Sequence, residues 1–285
     1  MGRIPRHQEE DEYYLLTNRC HQARFLMRPD DATKRLIQGI LCRAAETCGV
    51  EIVCFCFLSN HFHIIARFPR RNMPRFMGML QSQIARRIND LRGRDDTFWS
   101  GRYDDQIILG DAELLEKIGY VVNNAVKHRL VTSASDWPGL CAIGWHESGA
   151  ERVKGTWLNK SELGRLLRKK NPHNPRLRAR QTHEFELHLP EELGGDTVEE
   201  RRENLLALVE RHRQWLEAER RRDRQGVLTA RRARRQDWRG RPDEPDNSPG
   251  CWCLTSEPGR RKKYRKRRRK ITNAYREATR NWRNG

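Results

Sequence analysis

The stretch that decides the fold is CFCFLSNHFHIIAR, residues 54–67. Its pattern predicts an apolar strand, a polar corner at Ser59 and Asn60, and a second strand that begins with His61 and His63. Alternate side chains of a strand share a face, so the two imidazoles would point the same way, with Cβ atoms roughly 6.5–7 Å apart. Two imidazoles placed in this way can bind one metal ion. Two packed histidines are the alternative, because His-x-His alone is a weak signal.

Positive charge is concentrated in the second half of the chain. The 285 residues include 57 Lys and Arg against 38 Asp and Glu, a net charge of +19. Residues 1–150 carry +2 of this charge and the remainder carries +17. The asymmetry indicates a polyanionic partner. Nucleic acid is favoured over a membrane, because no amphipathic anchor or long apolar run accompanies the charge.

The chain shows no signal core at its N-terminus and no apolar run near ~18 residues, which predicts a cytoplasmic protein without a membrane partner. Cys251 and Cys253 are spaced like zinc ligands, but no second pair lies nearby. Four of the eight cysteines lie in apolar or helical contexts and are expected to be reduced core thiols: Cys42, Cys48, Cys54 and Cys56.

The order of predicted elements indicates the fold class. A strand at residues 13–17 is followed by a helix from Asp30 to Gly49, the double strand, a helix at 73–91, a strand at 106–109 and a helix after Asp111. This β-α-β-β-α-β-α order predicts an α+β fold, a ferredoxin-like antiparallel sheet with helices on one face.

The last of these helices, which we expect to continue through residue 128, contains Tyr120 and Asn124. Residues four apart lie one above the other on a helix, so a phenol and an amide oxygen would face the same spot. Taken alone, Tyr120 would be a packing tyrosine. Beside a histidine pair on a strand, the set is what metal-assisted cleavage of a phosphodiester by a tyrosine requires.

The motifs resemble one known family. The segment NHFHII (60–65) resembles the signature of the single-tyrosine HUH transposases, which are insertion-sequence-200-like, and IGYVVNNAVKHRLV (118–131) is similar to the tyrosine helix of the REP-associated tyrosine transposases. Three further segments fit the same family, and together the matches cover about residues 13–145: TNRCH (17–21), FWSGRY (98–103) and SDWP (135–138).

The resemblance implies an enzyme, a DNA endonuclease and strand transferase that acts on single strands, typically hairpin-bearing ones. Tyr120 would be the nucleophile and would form a 5′-phosphotyrosine bond. His61, His63 and Asn124 would hold Mg²⁺ or Mn²⁺, and two imidazole ligands suggest tolerance of Mn²⁺. The chain departs from the family at Ala125, where proline is usual, so we expect an altered helix end with the chemistry retained. Tyr103 is a less favoured rival nucleophile.

We expect two regions: a catalytic domain at 1–148 and a basic, mainly helical and partly disordered extension at 149–285. Within the extension, short helices are predicted at 158–167 and 271–282, a long charged helix after Thr197, and a linker at 239–250. A solvated tail and a phosphate-binding tail are both open for its basic run. The nucleic-acid-binding candidates are Arg19, Lys127, Arg260, Arg261, Lys262, Lys263, Arg265, Lys266, Arg267, Arg268, Arg269 and Lys270.

Three functions follow from these features. The first is a DNA transposase, monomeric or homodimeric, that cleaves and rejoins single-stranded DNA in the cytoplasm at the nucleoid. The second is a non-catalytic, domesticated DNA- or RNA-binding protein on the same scaffold. The third is a metal-dependent nuclease that uses water, with Tyr120 only structural.

Overall fold

The computed structural model describes residues 8–9, 11–150, 152–169, 173–224, 226–243 and 253–284. The elements of its first part are β1 (Tyr13–Arg19), α1 (Asp31–Cys48), β2 (Glu51–Phe57), β3 (His61–Arg67), α2 (Met73–Arg92), β4 (Asp104–Ile108), α3 (Asp111–Val122), α4 (Asn124–Lys127) and α5 (Ile143–Glu147). The remainder forms β5 (Arg152–Leu158), α6 (Lys160–Leu167), α7 (Pro175–Arg178), β6 (Arg180–Glu186), α8 (Val198–Arg222), α9 (Ala230–Arg235), β7 (Cys253–Leu254) and α10 (Pro258–Asn284).

Local sequence signals set the ends of α1 as predicted. The Asp30 carboxylate accepts a hydrogen bond of 2.8 Å from the Thr33 backbone N–H and so caps the N-terminus of α1. Gly49 ends the helix in the left-handed conformation, with φ of 60°.

The main sheet confirms the ferredoxin-like prediction. Its strand order is β2-β3-β1-β4-β7, and the first four strands pair antiparallel. In this register His63 lies opposite Thr17 of β1 and Cys56 of β2, while His61 lies opposite Arg19. β7 joins β4 in parallel and was not predicted, because its two residues carry no readable strand pattern.

The sheet presents different chemistry on its two faces. Phe62 is fully buried against Trp99, whose indole N–H donates 3.0 Å to the Gln81 carbonyl of α2. His61 and His63 alternate with Phe62 and so point to the opposite face. On that face α3 lies across β2 and β3. The helix with the predicted nucleophile therefore covers the side of β3 that bears the histidines.

The extension packs onto the first part of the chain. The β5–β6 hairpin, which was also not predicted, lies on α1. Backbones touch there, since a Cβ on Gly39 would lie 2.1 Å from the Thr156 carbonyl oxygen. The Arg43 and Arg87 guanidinium groups stack on Trp157 at 4.6 and 4.5 Å.

Of the two long helices of the extension, one begins where it was predicted and the other begins earlier. α8 begins after Thr197, which forms a capping box with Glu200, as the predicted long helix requires. α10 begins at Pro258, so the basic run is helical, whereas the sequence placed the helix start at residue 271. The predicted linker at 239–250 falls mainly outside the described residues, as does Cys251.

The described cysteines agree with the prediction of reduced core thiols. The four cysteines of that prediction, Cys42, Cys48, Cys54 and Cys56, are free and buried. None of the described helices contains an apolar stretch of the length that a bilayer span requires.

Candidate active site

The two histidines of β3 lie beside one another under α3 and α4. Their ring centroids are 5.1 Å apart, and His63 is 8% exposed. Burial and the neighbouring His128 lower the pKa of His61 to about 3, and burial and the neighbouring His61 hold the pKa of His63 well below its usual value. Both imidazoles are therefore neutral at pH 7, which leaves each with a nitrogen lone pair for a ligand bond.

Both ring nitrogens of His61 face an amide oxygen, but a neutral imidazole has only one N–H and can donate to only one of them. Its Nδ1 lies 2.7 Å from Oδ1 of Asn60, and its Nε2 lies 3.1 Å from Oδ1 of Asn124. The shorter contact assigns the proton to Nδ1, which donates to Asn60. Nε2 then faces the Asn124 oxygen with a lone pair.

His63 and Asn124 carry buried polar atoms without a partner. In the described part of the chain, Nδ1 of His63 and Nδ2 of Asn124 have no hydrogen-bond partner, although both atoms are buried. Unpaired buried polar groups are uncommon in folded proteins and call for an explanation such as an ion or a functional role. Both residues are predicted ligands, but the amide Nδ2 is a hydrogen-bond donor, so of these two atoms only Nδ1 of His63 could bind a cation.

The imidazole nitrogens of His61 and His63 and the amide oxygen of Asn124 are ligand atoms that suit a hard or borderline divalent cation. Ligand atoms at right angles around Mg²⁺ or Mn²⁺, with bonds of about 2.1 Å, stand about 3 Å apart, close to the 3.1 Å between Nε2 of His61 and Oδ1 of Asn124. Within the described residues no group of three or more His, Cys, Asp or Glu side chains is arranged to hold a metal ion. The candidate set is thus two imidazoles and an amide oxygen.

Tyr120 stands at the same place from the α3 side. Its ring lies edge-on to that of His63, with 5.3 Å between centroids, and the residue is half-buried. The ammonium groups of Lys127 and Lys117 lie 4.5 and 5.6 Å from the Tyr120 ring centroid. Two ammonium groups therefore lie near the ring, and that of Lys117 also pairs with Glu116 at 2.7 Å.

The prediction of one continuous helix through Tyr120 and Asn124 is wrong. α3 ends at Val122, Asn123 has φ of −87° and ψ of 17°, and Asn124 begins the short helix α4. The break occurs although Ala125 replaces the usual proline. A fully buried contact holds it, because Nδ2 of Asn123 donates 2.8 Å to the Val209 carbonyl of α8.

Comparison with known proteins finds a family that the first part of the chain resembles. The family model described as "Transposase IS200 like" matches residues 13–124, a segment that contains both histidines, Tyr120 and Asn124. Residues 13–124 are similar to the IS200-like transposases. The predicted family resemblance is confirmed.

The same part of the chain is also similar to one curated protein and to two solved structures. A Haemophilus influenzae protein assigned as a REP-associated tyrosine transposase is 27% identical over 99 residues, which cover 31% of this chain and 56% of that protein. The chain thus spans about half the length of this curated relative. The structure of a REP-associated tyrosine transposase bound to a REP hairpin has a TM-score of 0.42 and 18% identity, covering 52% of this chain and 86% of that one. A crystal structure assigned as a Deinococcus radiodurans transposase has a TM-score of 0.29 and 17% identity, covering 44% and 97%.

The rival nucleophile and the predicted nucleic-acid-binding residues differ in their distance from the two histidines. Tyr103 is 8% exposed and belongs to the core, and Arg19 lies beside His61 on the neighbouring strand. Lys127 lies over Tyr120. The basic run of α10 follows β7, which is three strand spacings, about 14 Å, from β3.

Sequence reasoning missed two residues that contact His61. Asn60 accepts the hydrogen bond of His61, and the His128 ring lies 5.1 Å from the His61 ring. Asn60 stood next to the histidine motif, and its amide oxygen was an available signal. His128 approaches only because the chain turns after α4.

Proposed function

We propose that this protein is a DNA transposase that cleaves and rejoins single-stranded, hairpin-bearing DNA through Tyr120 and a divalent cation. The observation that carries the proposal is the meeting of Tyr120 with the two imidazoles of β3. His63 lies 5.3 Å, ring to ring, from Tyr120, and His61 contacts Asn124. These contacts support a nucleophile on α3 and ligands on β3 and α4 that act together, although β3 is distant from α3 and α4 in the chain.

His61, His63 and Asn124 would hold the cation, with Asn60 fixing the tautomer of His61 so that Nε2 remains a ligand. Mg²⁺ or Mn²⁺ would neutralise charge on the scissile phosphate and polarise its P–O bonds. Mn²⁺ suits the two nitrogen ligands better than Mg²⁺ does.

Tyr120 would attack through its phenolic oxygen. A bond forms between that oxygen and phosphorus, and the bond from phosphorus to the 3′-oxygen of the preceding sugar breaks. The products are a 5′-phosphotyrosine and a 3′-hydroxyl, and the proton lost by the phenol balances the proton gained by the leaving oxygen. Lys127, 4.5 Å from the ring centroid, places a positive charge beside the developing phenolate. Rejoining is the reverse reaction with a different 3′-hydroxyl.

A covalent adduct tests this proposal. The protein is incubated with Mn²⁺ and an end-labelled pool of hairpin oligonucleotides with randomised single-stranded flanks, then run on a denaturing protein gel. We expect label on the protein in the wild type, its loss in Tyr120→Phe, and its loss without added metal in EDTA. Tyr103→Phe removes the other predicted tyrosine hydroxyl and should keep the adduct.

The two other functions give different results in the same assay. Cut DNA without an adduct, unchanged in Tyr120→Phe, would establish a nuclease that uses water. Bound but uncut DNA would indicate a domesticated binding protein. The predicted cytoplasmic, nucleoid-associated location and the monomeric or dimeric state remain predictions, and light scattering after size exclusion measures the latter.

A further inference from the structure

A segment of the extension at residues 226–243 contacts two places that lie next to candidate site residues in the chain. Leu228 and Thr229 donate backbone hydrogen bonds of 2.8 and 3.0 Å to the carbonyls of Arg129 and Leu130, directly after α4. At its other end the segment meets the β2–β3 corner, where the Ser59 hydroxyl donates 2.9 Å to the Gln236 side chain. It therefore spans from the turn after Asn124 to the corner before His61.

The helix within this segment, α9, is firmly docked. Ala233 is fully buried, and the Thr229 side chain caps the helix by accepting from the Arg232 backbone N–H at 3.5 Å. Beyond the helix, the Phe25 backbone N–H donates 2.9 Å to the Gly240 carbonyl. Contacts on both sides thus fix α9 relative to the sheet.

Four arginines of α9 project from this docked helix into solvent: Arg231, Arg232, Arg234 and Arg235. Within the described residues none of the four forms an ion pair with a carboxylate. Arginines of α8 behave differently, since Arg213 pairs with Glu210 at 2.7 Å and with Glu217 at 3.0 Å. Asp237 and Asp243 are the only acidic residues between 226 and 243, against six arginines. The surface of α9 is strongly positive.

The position of α9 separates it from the basic run of α10. Gln236, the residue after α9, contacts Ser59, which precedes His61 by two residues, or at most about 7 Å of chain. α10 follows β7 at the far edge of the sheet. The four α9 arginines thus lie close in the chain to Gln236, which contacts the β2–β3 corner, whereas Arg19 lies opposite His61 on β1. None of the four was among the predicted nucleic-acid-binding residues.

We propose that α9 binds the phosphate backbone of the single-stranded DNA that flanks the scissile phosphate. The inference rests on the proposed function and on the position of α9 between the β2–β3 corner and the turn after α4, which border His61 and Asn124 in the chain. Guanidinium groups pair with phosphate oxygens, and such contacts position a strand without reading its sequence. Four arginines on one helix, about 9 Å long, suit two or three successive phosphates of one strand.

Equilibrium binding in the Tyr120→Phe background tests the proposal, because cleavage is then absent. The test variant changes the four α9 arginines to Gln. The matched control changes four exposed cations of α10, namely Lys262, Arg265, Lys266 and Arg269, to Gln. Anisotropy of a fluorescent 12-nucleotide single strand is measured between about 50 and 300 mM salt. A third variant carries Lys at all four α9 positions.

We expect the α9 variant to bind at least 10-fold more weakly and its log–log salt slope to fall by about 1.5–2, since each of the two or three lost phosphate contacts on a single strand contributes about 0.7. The Lys variant should retain the slope, and the α10 control should change both quantities less. Wild-type affinity and slope in the α9 variant, or an equal or larger loss in the α10 control, would overturn the proposal.

Failure of this inference is distinct from failure of the proposed function. With Tyr120 present, the same α9 substitutions should raise the DNA concentration needed for half-maximal adduct while leaving the maximal yield unchanged. If the α9 variant forms the adduct with the same dependence on DNA concentration as the wild type, the tyrosine chemistry is supported and the role of the α9 surface is rejected. If the α9 variant loses DNA binding but the wild-type protein never forms an adduct, the α9 surface is supported and the tyrosine chemistry is rejected. Equal circular dichroism spectra and melting temperatures verify that each variant is folded.

Discussion

Nε2 of His61 lies 3.1 Å from Oδ1 of Asn124, and both atoms are acceptors when His61 donates its single proton to Asn60. Two arrangements relieve the opposition of these lone pairs. A cation can bind both atoms, or the Asn124 amide can reverse so that Nδ2 donates to Nε2. Only the first arrangement makes the pair part of a metal site, and substitutions at position 124 separate the two.

Asn124→Asp should make folding depend on the metal. Without a cation, a buried carboxylate facing the His61 lone pair lacks a donor, so we expect a lower melting temperature than in the wild type. With Mn²⁺, the carboxylate is a stronger ligand, and the rise in melting temperature should exceed that of the wild type. Asn124→Ala should lose about 10-fold or more in Mn²⁺ affinity, measured by electron paramagnetic resonance of free Mn²⁺.

Asn273→Ala, an exposed change on α10, is the control for both measurements and should match the wild type. If Asn124→Ala binds Mn²⁺ as tightly as the wild type, Asn124 is not a ligand and the amide is reversed.

Gly119→Ala should displace the helix that carries Tyr120. An added Cβ would lie 3.1 Å from Cβ and 3.2 Å from Cγ of His212 on α8, and that Cβ is held by the helix backbone and cannot rotate away. We expect about 1–2 kcal/mol of net destabilisation and a slower rate of adduct formation, because overpacking outweighs the gain in helix propensity.

Gly78→Ala is the matched control, since nothing lies within 4 Å of its added Cβ in α2. It should stabilise the protein by about 0.5–1 kcal/mol. The double variant Gly119→Ala/His212→Ala should recover part of the lost rate. A neutral Gly119→Ala with unchanged adduct formation would show that α8 does not constrain α3.

The sequence was informative where local rules act. Alternation around Phe62 placed His61 and His63 on one face, and the Asp30 and Gly49 signals gave the ends of α1. It was uninformative where distant contacts decide. Four-residue spacing implied one helix through Tyr120 and Asn124, but Asn123 ends α3 because Val209, 86 residues away, accepts its side-chain hydrogen bond. The two-residue strand β7 forms by pairing with the backbone of β4, which a local sequence pattern does not reveal.

Asp30 should make stability depend on acid pH. Burial alone would raise the pKa of this carboxyl, but hydrogen bonds from the Thr33 N–H and from Arg92, at 2.8 Å each, lower it to about 2. The unfolded chain takes up this proton near pH 3.8, so the stabilisation is complete above that pH and is lost as pH falls towards 2.

Asp30→Ala should therefore cost about 1–2 kcal/mol at pH 7, and the difference from the wild type in urea unfolding should shrink between pH 4 and 2. Asp31→Ala changes an exposed carboxylate that makes no cap and should cost much less. A difference that stays constant from pH 7 to 2 would contradict the assigned ion pair and cap.

Asn123→Ala tests whether the extension holds the nucleophile in place. Asn123 is fully buried and joins the end of α3 to α8 through its 2.8 Å hydrogen bond with the Val209 carbonyl. Its removal should cost about 1–2 kcal/mol and lower the rate of adduct formation at saturating DNA, because Tyr120 and Asn124 flank the break that it fixes.

Asn204→Ala is the matched control, since its Nδ2 donates 3.0 Å to the Gly194 carbonyl at the exposed start of α8. It loses the same kind of hydrogen bond in contact with water, so we expect a loss of a few tenths of a kcal/mol and a wild-type adduct rate. If both variants lose stability equally while adduct formation stays unchanged in both, α8 only stabilises the fold. A slow adduct rate confined to Asn123→Ala instead requires that α8 positions the two halves of the site.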